Sequence, residues 1–191
     1  MPFNIPNLLT WFRILLIPVF IGVFYLPDAV LSLHHTHQLS ALIFALAALT
    51  DWLDGCLARA LNQTSAFGAF LDPVADKLMV AAALIVLVNL GYVDMVIAII
   101  IIGREIAISA LREWMAQLGE RKSIAVSMLG KMKTASQMIA VLLLLYHEPV
   151  AGFPTHAVGT WLIYLAALLT MWSMIFYLML ALPQITQKSR R

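Results

Sequence analysis

Six long apolar stretches, separated by short polar segments, dominate the hydropathy pattern of the chain. A helix needs roughly 20 residues, each rising about 1.5 Å, to cross about 30 Å of hydrocarbon. The first, fourth and sixth stretches reach that length, whereas the second and fifth reach it only if charged residues enter the membrane edge. The pattern predicts an all-α polytopic membrane protein with six transmembrane helices in a single domain, residues 1–191. The predicted helices cover approximately residues 8–26, 39–60, 73–90, 93–115, 129–146 and 158–182.

The composition supports a membrane protein. Of the 191 residues, 62% are hydrophobic and 12% are charged, whereas soluble domains average roughly 45–50% and about 25%. The single cysteine, Cys56, excludes an intramolecular disulfide framework and a cysteine-rich metal site. Residues 1–7 contain no Lys or Arg, and the first apolar stretch is too long for the core of a signal peptide. We therefore expect the first helix to remain in the mature protein.

The basic residues indicate how the helices are oriented. An even number of helices places both termini on one side, and all twelve Lys and Arg residues fall at or toward that side. The positive-inside rule makes this side cytoplasmic. Three histidines, His34, His35 and His37, lie in the first outer loop, where a solvated loop is a simpler interpretation than a metal-binding tract. The outer loops, which contain no Lys or Arg, are residues 28–38, 91–94 and 147–156.

Four aspartates have spacings that place them in pairs on two neighbouring helices. Asp51 and Asp54 share one face of the second predicted helix, and Asp72 and Asp76 lie one turn apart on the third. A short connection around residues 62–65 would make these helices antiparallel neighbours. We therefore expect the four carboxylates to meet in a polar cavity at the cytoplasmic edge of the membrane.

Such a cluster needs positive charge. Unpaired carboxylates would repel one another and carry a large desolvation cost, which a hard divalent cation such as Mg²⁺ or Mn²⁺ removes. No histidine lies near them in the sequence, which argues against zinc. The alternative is that they are ordinary helix-end acids, with Asp72 as the N-cap before Pro73. Four acids at helical spacing favour the metal site.

A second group of charges lies on the fourth and fifth predicted helices. Arg104 falls within apolar sequence, where a charged residue is functional or paired. Its neighbour Glu105 is not expected to face it, because adjacent residues on a helix point in different directions. Arg112, Lys131 and Lys133 could enforce topology or attract anionic lipid, but their depth favours an anionic substrate.

The acidic segment resembles a known family signature. The pattern D-x2-D-G-x2-A-R-x8-G-x3-D-x3-D resembles that of the CDP-alcohol phosphatidyltransferases, six-helix membrane enzymes that are usually homodimers. Residues 4–13, 103–105 and 130–134 also resemble segments of bacterial members of this family. The positions that match the signature are Asp51, Asp54, Gly55, Ala58, Arg59, Gly68, Asp72 and Asp76.

The resemblance implies a role for each matching residue. Asp51, Asp54 and Asp72 would hold two Mg²⁺ or Mn²⁺ ions against the pyrophosphate of CDP-diacylglycerol. Asp76 would be the general base on the acceptor hydroxyl and a further metal ligand. Six residues would contact CDP-diacylglycerol: Thr10, Arg13, Gly55, Ala58, Arg59 and Gly68. For Arg13, extension along the surface to the membrane interface is an equally good interpretation.

The implied reaction is phosphatidyl transfer to sn-glycerol 3-phosphate with release of CMP, in the inner membrane of a bacterium. Arg104, Arg112, Lys131 and Lys133 would bind the acceptor phosphate. A homodimer surrounded by lipid is expected, and a nucleic-acid partner is not. One alternative is another acceptor, inositol phosphate or serine. A second is a divalent-cation transporter, which would require polar groups through to the outer face, whereas the outer halves of the predicted helices are nearly all apolar.

Overall fold

The computed structural model describes residues 5–60, 66–117 and 128–188, and these residues form six α-helices. No strand occurs among them, apart from an isolated bridge between Val150 and Phe153. The prediction of an all-α protein is confirmed. The helices are α1 (Ile5–Val23), α2 (Leu33–Ala60), α3 (Ala66–Asn89), α4 (Met95–Gln117), α5 (Met128–Tyr146) and α6 (Thr155–Lys188).

Two helices begin earlier than their apolar stretches predicted. Helix α3 begins at Ala66, so Asp72 and Pro73 lie inside it and Asp72 is not an N-cap. A proline inside a helix removes one backbone hydrogen bond, a loss that packing against neighbouring helices can offset. Helix α2 begins at Leu33, so His34, His35 and His37 belong to its first turns. The prediction of a loop at these histidines is therefore wrong, and His37 is buried, whereas His34 and His35 are exposed to solvent as predicted.

Helix α3 packs against most of the other helices. Helix α1 packs against α2 and α3, helix α5 against α2, α3 and α6, and helix α4 against α3 and α6. Among the described residues, no Cα atom of α4 lies within 8 Å of one in α5. The α5–α6 interface is close at Gly159, where an added Cβ would lie 2.9 Å from Cγ of Leu144. Small residues allow such close approach between helices.

Large apolar side chains cover the outside of the bundle, while many of its polar side chains are inside. Trp161 and Leu168 are 77% and 69% exposed, whereas Thr10, Arg13 and Lys133 are almost completely buried. Soluble proteins bury charged residues rarely and expose large apolar patches rarely. The surface is therefore of the kind that faces lipid.

One helical segment among the described residues is long and apolar enough to cross a membrane, Thr155–Phe176 within α6. Two other segments, Asn7–Val23 and Met132–Tyr146, are apolar but shorter. Charged residues interrupt the apolar sequence of α4 at Arg104 and Glu105. The arrangement of six spans stays a prediction.

Near the N-terminal end of α2, side chains from several parts of the bundle meet in a histidine cluster, formed by His37, Tyr92, His147 and His156. The imidazole of His147 stacks on the ring of Tyr92 with 4.0 Å between centroids, and its centroid lies 4.7 Å from that of His156. The hydroxyl of Tyr92 lies 3.2 Å from Nε2 of His37, which is buried. Burial, together with the nearby His156 and His37, lowers the pKa of His147 below its ordinary value.

Candidate active site

Arg13 of α1 joins the two aspartates of α2. Its Nη1 donates to Oδ1 of Asp51 at 2.7 Å, and its Nη2 donates to Oδ2 of Asp54. The side chains of Arg13 and Asp54 are 1% and 5% exposed, whereas that of Asp51 is 44% exposed. Asp51 and Asp54 lie three residues apart on one helical face, so a planar guanidinium can reach both. The burial of Arg13 excludes the interpretation that it extends to the membrane interface.

Helix α1 also contacts the aspartates of α3. The hydroxyl of Thr10, which is completely buried, donates to Oδ1 of Asp72. Thr10 and Arg13 lie three residues apart, so one face of α1 reaches α2 and α3 together. Gly68, one turn before Asp72, is also buried. The predicted acidic helices are thus joined through polar side chains of α1.

Asp76 lies on α3, one helical turn after Asp72. Together with Arg13 it lines a cavity of about 10 Å³, which also contacts Phe44 and Met138. The charges of Asp51, Arg13, Glu105 and Lys77 all act on the Asp76 carboxyl. Asp76 therefore lies within electrostatic range of both charged groups that the sequence indicated.

The aspartates offer donors suited to a hard cation, but ion pairs with Arg13 engage two of them in the structure. Within the described parts of the chain, no three His, Cys, Asp or Glu side chains are close enough to hold a metal ion. The guanidinium of Arg13 supplies the positive charge between Asp51 and Asp54. Carboxylate oxygens fit Mg²⁺ or Mn²⁺ by their chemistry. The detailed ligand set stays a prediction.

Charges from α4 and α5 form a second polar group, the Glu105 junction, defined by Arg104, Glu105, Lys133 and Ser173. Lys133 forms an ion pair with Oε1 of Glu105, and Nη1 of Arg104 lies 3.5 Å from the same oxygen. The other terminal nitrogen of Arg104 donates to Oγ of Ser173 on α6 at 2.9 Å. The expectation that Glu105 would not meet Arg104 is wrong, because the two long side chains converge although their Cβ atoms diverge.

Sequence reasoning missed Glu105 and Ser173 as parts of this group. Glu105 carried a detectable signal, since it is an acid within the apolar sequence of α4. Ser173 carried none, because a lone serine in a long apolar helix is common. Five predicted site residues lie in helices but have side chains outside the described set: Gly55, Ala58, Arg59, Arg112 and Lys131. The predicted connection at residues 62–65 also lies outside the described residues.

Comparison with known proteins identifies the family of the chain. The family model described as CDP-alcohol phosphatidyltransferase matches residues 3–172. A Salmonella typhimurium protein named CDP-diacylglycerol–glycerol-3-phosphate 3-phosphatidyltransferase is 53% identical over 181 residues, covering 93% of this chain and 94% of the relative. A Haemophilus influenzae protein of the same name is 52% identical over 185 residues, covering 95% of each. The chain belongs to the CDP-alcohol phosphatidyltransferase family.

Proposed function

We propose that this enzyme transfers the phosphatidyl group of CDP-diacylglycerol to the hydroxyl of sn-glycerol 3-phosphate, giving phosphatidylglycerol phosphate and CMP. The observation that carries the proposal is the identity of 52–53% over more than nine tenths of the chain to relatives named for this reaction. The signature residues of the family are all present. Transfer to serine or inositol phosphate and cation transport are therefore disfavoured.

The reaction exchanges one phosphorus–oxygen bond for another. The acceptor oxygen attacks the phosphorus that carries diacylglycerol, and the bond from that phosphorus to the CMP oxygen breaks, with the electron pair leaving on CMP. The acceptor hydroxyl loses its proton, and Asp76 is the proposed base. Its place one turn after Asp72, in a cavity that Arg13 also lines, supports this role, because a base must lie close to the reacting groups.

The family uses divalent metal ions, and we assign them to Asp51, Asp54, Asp72 and Asp76 as two Mg²⁺ or Mn²⁺ ions. Bound there, such ions would neutralise the pyrophosphate and stabilise CMP as the leaving group. Arg13 and Thr10 hold three of these carboxylates from α1. This contact supports a role for both residues in ordering the CDP-diacylglycerol side of the site.

The remaining polar residues divide between the two substrates. Gly55, Ala58, Arg59 and Gly68 lie along the acidic helices and are assigned to CDP-diacylglycerol. The acceptor phosphate needs cations, and Lys133 and Arg104 are buried cations that share the carboxylate of Glu105. Lys133 and Arg104 are therefore assigned to glycerol 3-phosphate, with Arg112 and Lys131 as further candidates on the same helices.

We further propose that the enzyme is a single-domain homodimer in the bacterial inner membrane, with six spans and a cytoplasm-facing site. The apolar exterior of the bundle and the absence of Lys and Arg from the predicted outer loops support this topology. A reporter fused after Arg191 should be cytoplasmic. A reporter inserted at Asp28, in the exposed connection before α2, should be external. Finding both on one side would contradict the arrangement.

The reaction itself can be tested with the purified protein. Incubation with CDP-diacylglycerol and Mg²⁺ should release CMP with glycerol 3-phosphate, and not with serine or inositol phosphate. Chelation by EDTA should abolish release, and Mg²⁺ or Mn²⁺ should restore it. Asp72→Asn should remove nearly all turnover, while Asp94→Asn, which changes an exposed acid at the outer end of α4, serves as the matched control. Release of CMP only with serine would refute the proposed acceptor.

A further inference from the structure

One carboxylate, that of Glu105, is the point where charged groups from two helices meet. Its Oε1 accepts from Nζ of Lys133 on α5 and lies 3.5 Å from Nη1 of Arg104. Arg104 in turn donates to Ser173 on α6. The Glu105 junction therefore links α4, α5 and α6 through polar side chains.

The junction crosses a space between helices. Helices α4 and α5 have no Cα atoms within 8 Å of each other among the described residues, so two long side chains span the separation. A lysine has four rotatable bonds, and the place of its ammonium is set by the group with which it pairs. The ion pair with Glu105 is therefore one of the contacts that place the Lys133 ammonium.

The proposed base belongs to a helix that packs against both partners of this ion pair. Helix α3, which carries Asp76, packs against both α4 and α5. The charge of Glu105 contributes to the electrostatic environment of the Asp76 carboxyl. Glu105 is 28% exposed, whereas Lys133 and Arg104 are 2% and 7% exposed. A partly exposed carboxylate thus holds two buried cations on the helices that pack against α3 or its neighbours.

We propose that Glu105 is a positioning residue for the acceptor. It holds the Lys133 ammonium and the Arg104 guanidinium where the phosphate of glycerol 3-phosphate binds, so that the acceptor hydroxyl reaches Asp76. A carboxylate would repel that phosphate if it touched it, so Glu105 acts through the two cations. The inference rests on the proposed function. It adds a residue that contributes to acceptor binding without contacting the substrate.

The test is to compare the substrate constants of charge and length variants. Glu105→Gln keeps the size and removes the charge, so the KM for glycerol 3-phosphate should rise on the order of tenfold or more. The KM for CDP-diacylglycerol should change less than about twofold. Glu105→Asp keeps the charge and should give a smaller rise. Glu113→Gln, an exposed acid further along α4, is the matched control and should leave both constants unchanged.

A double-variant cycle separates positioning from a general structural role. If Glu105 acts through Lys133, the pair Glu105→Gln and Lys133→Gln should be little worse than Lys133→Gln alone. Additive effects, or equal increases in both KM values, would overturn the inference. If Glu105→Gln does not fold, Glu105→Asp with an unchanged KM for glycerol 3-phosphate would overturn it as well. Failure of the proposed function is a different result: the unaltered enzyme would release no CMP with glycerol 3-phosphate.

Discussion

Replacing Arg13 by Met should destabilise the protein mainly because it removes the ion pair with Asp54, the more buried of its two ion pairs. Methionine keeps much of the length of the arginine side chain and removes the guanidinium. In the structure this guanidinium bridges Asp51 and Asp54, but the environments of the two carboxylates differ. The size of the effect follows from that difference.

The pair with Asp54 should account for most of the loss. Arg13 and Asp54 are 1% and 5% exposed, and breaking a buried pair costs about 3–5 kcal/mol because the remaining charge is uncompensated. Asp51 is 44% exposed, so solvent screening limits its pair to about 0–1 kcal/mol. A change of 1 kcal/mol shifts the melting temperature of a chain of this size by about 2–4 °C. Loss of both pairs, about 3–6 kcal/mol, should therefore lower the melting temperature by roughly 6–24 °C.

The assay is thermal unfolding in detergent with EDTA present. EDTA removes divalent cations, so the change in melting temperature reports the interaction of the guanidinium with the carboxylates. Arg13→Met combined with Asp54→Asn should be clearly less destabilised than the sum of the single variants. Arg13→Met combined with Asp51→Asn should be nearly additive. The reasoning is refuted if Arg13→Met melts within about 2 °C of the unaltered protein, or if the coupling is larger with Asp51 than with Asp54.

Three further predictions concern other parts of the molecule. Asp76→Asn should lower CMP release by about 100-fold or more while CDP-diacylglycerol still binds, because only the chemical step needs the base; loss of binding in a filter assay would contradict this. Gly159→Ala should lower the free energy of unfolding by about 1–3 kcal/mol, because the new Cβ would meet Leu144. Gly22→Ala is the control: nothing lies within 4 Å of its new Cβ, so thermal unfolding should show no such loss. Because the pKa of His147 is lowered in the folded protein, the unfolded chain binds a proton there that the folded protein does not, and the stability present above about pH 6.5 should be lost as the pH falls below it. Asparagine tolerates the positive φ of this position. His147→Asn should therefore reduce the change in melting temperature between about pH 7.5 and about pH 5.5.

The sequence by itself determined the helical class and the chemistry of the acidic group. Both depend on local spacing: apolar stretches of helical length predict helices, and acids three or four residues apart share a helical face whatever the tertiary structure. The signature residues that indicate the family are likewise read along the chain. The predicted starts of α2 and α3 were too late. Hydropathy alone did not show that α2 begins at Leu33 and α3 at Ala66, because polar residues lie near both starts.

Only the tertiary structure decided which side chains meet between helices. Arg13 pairs with residues 38 and 41 positions away, and Thr10 bonds to Asp72, 62 positions away. Lys133 on α5 pairs with Glu105 on α4, although no Cα atoms of the two helices lie within 8 Å of each other among the described residues. Such contacts depend on the rotation of each helix about its axis and on its neighbours, which the packing of all the helices determines together. Local spacing defines a face, and the packing of the bundle decides what that face contacts.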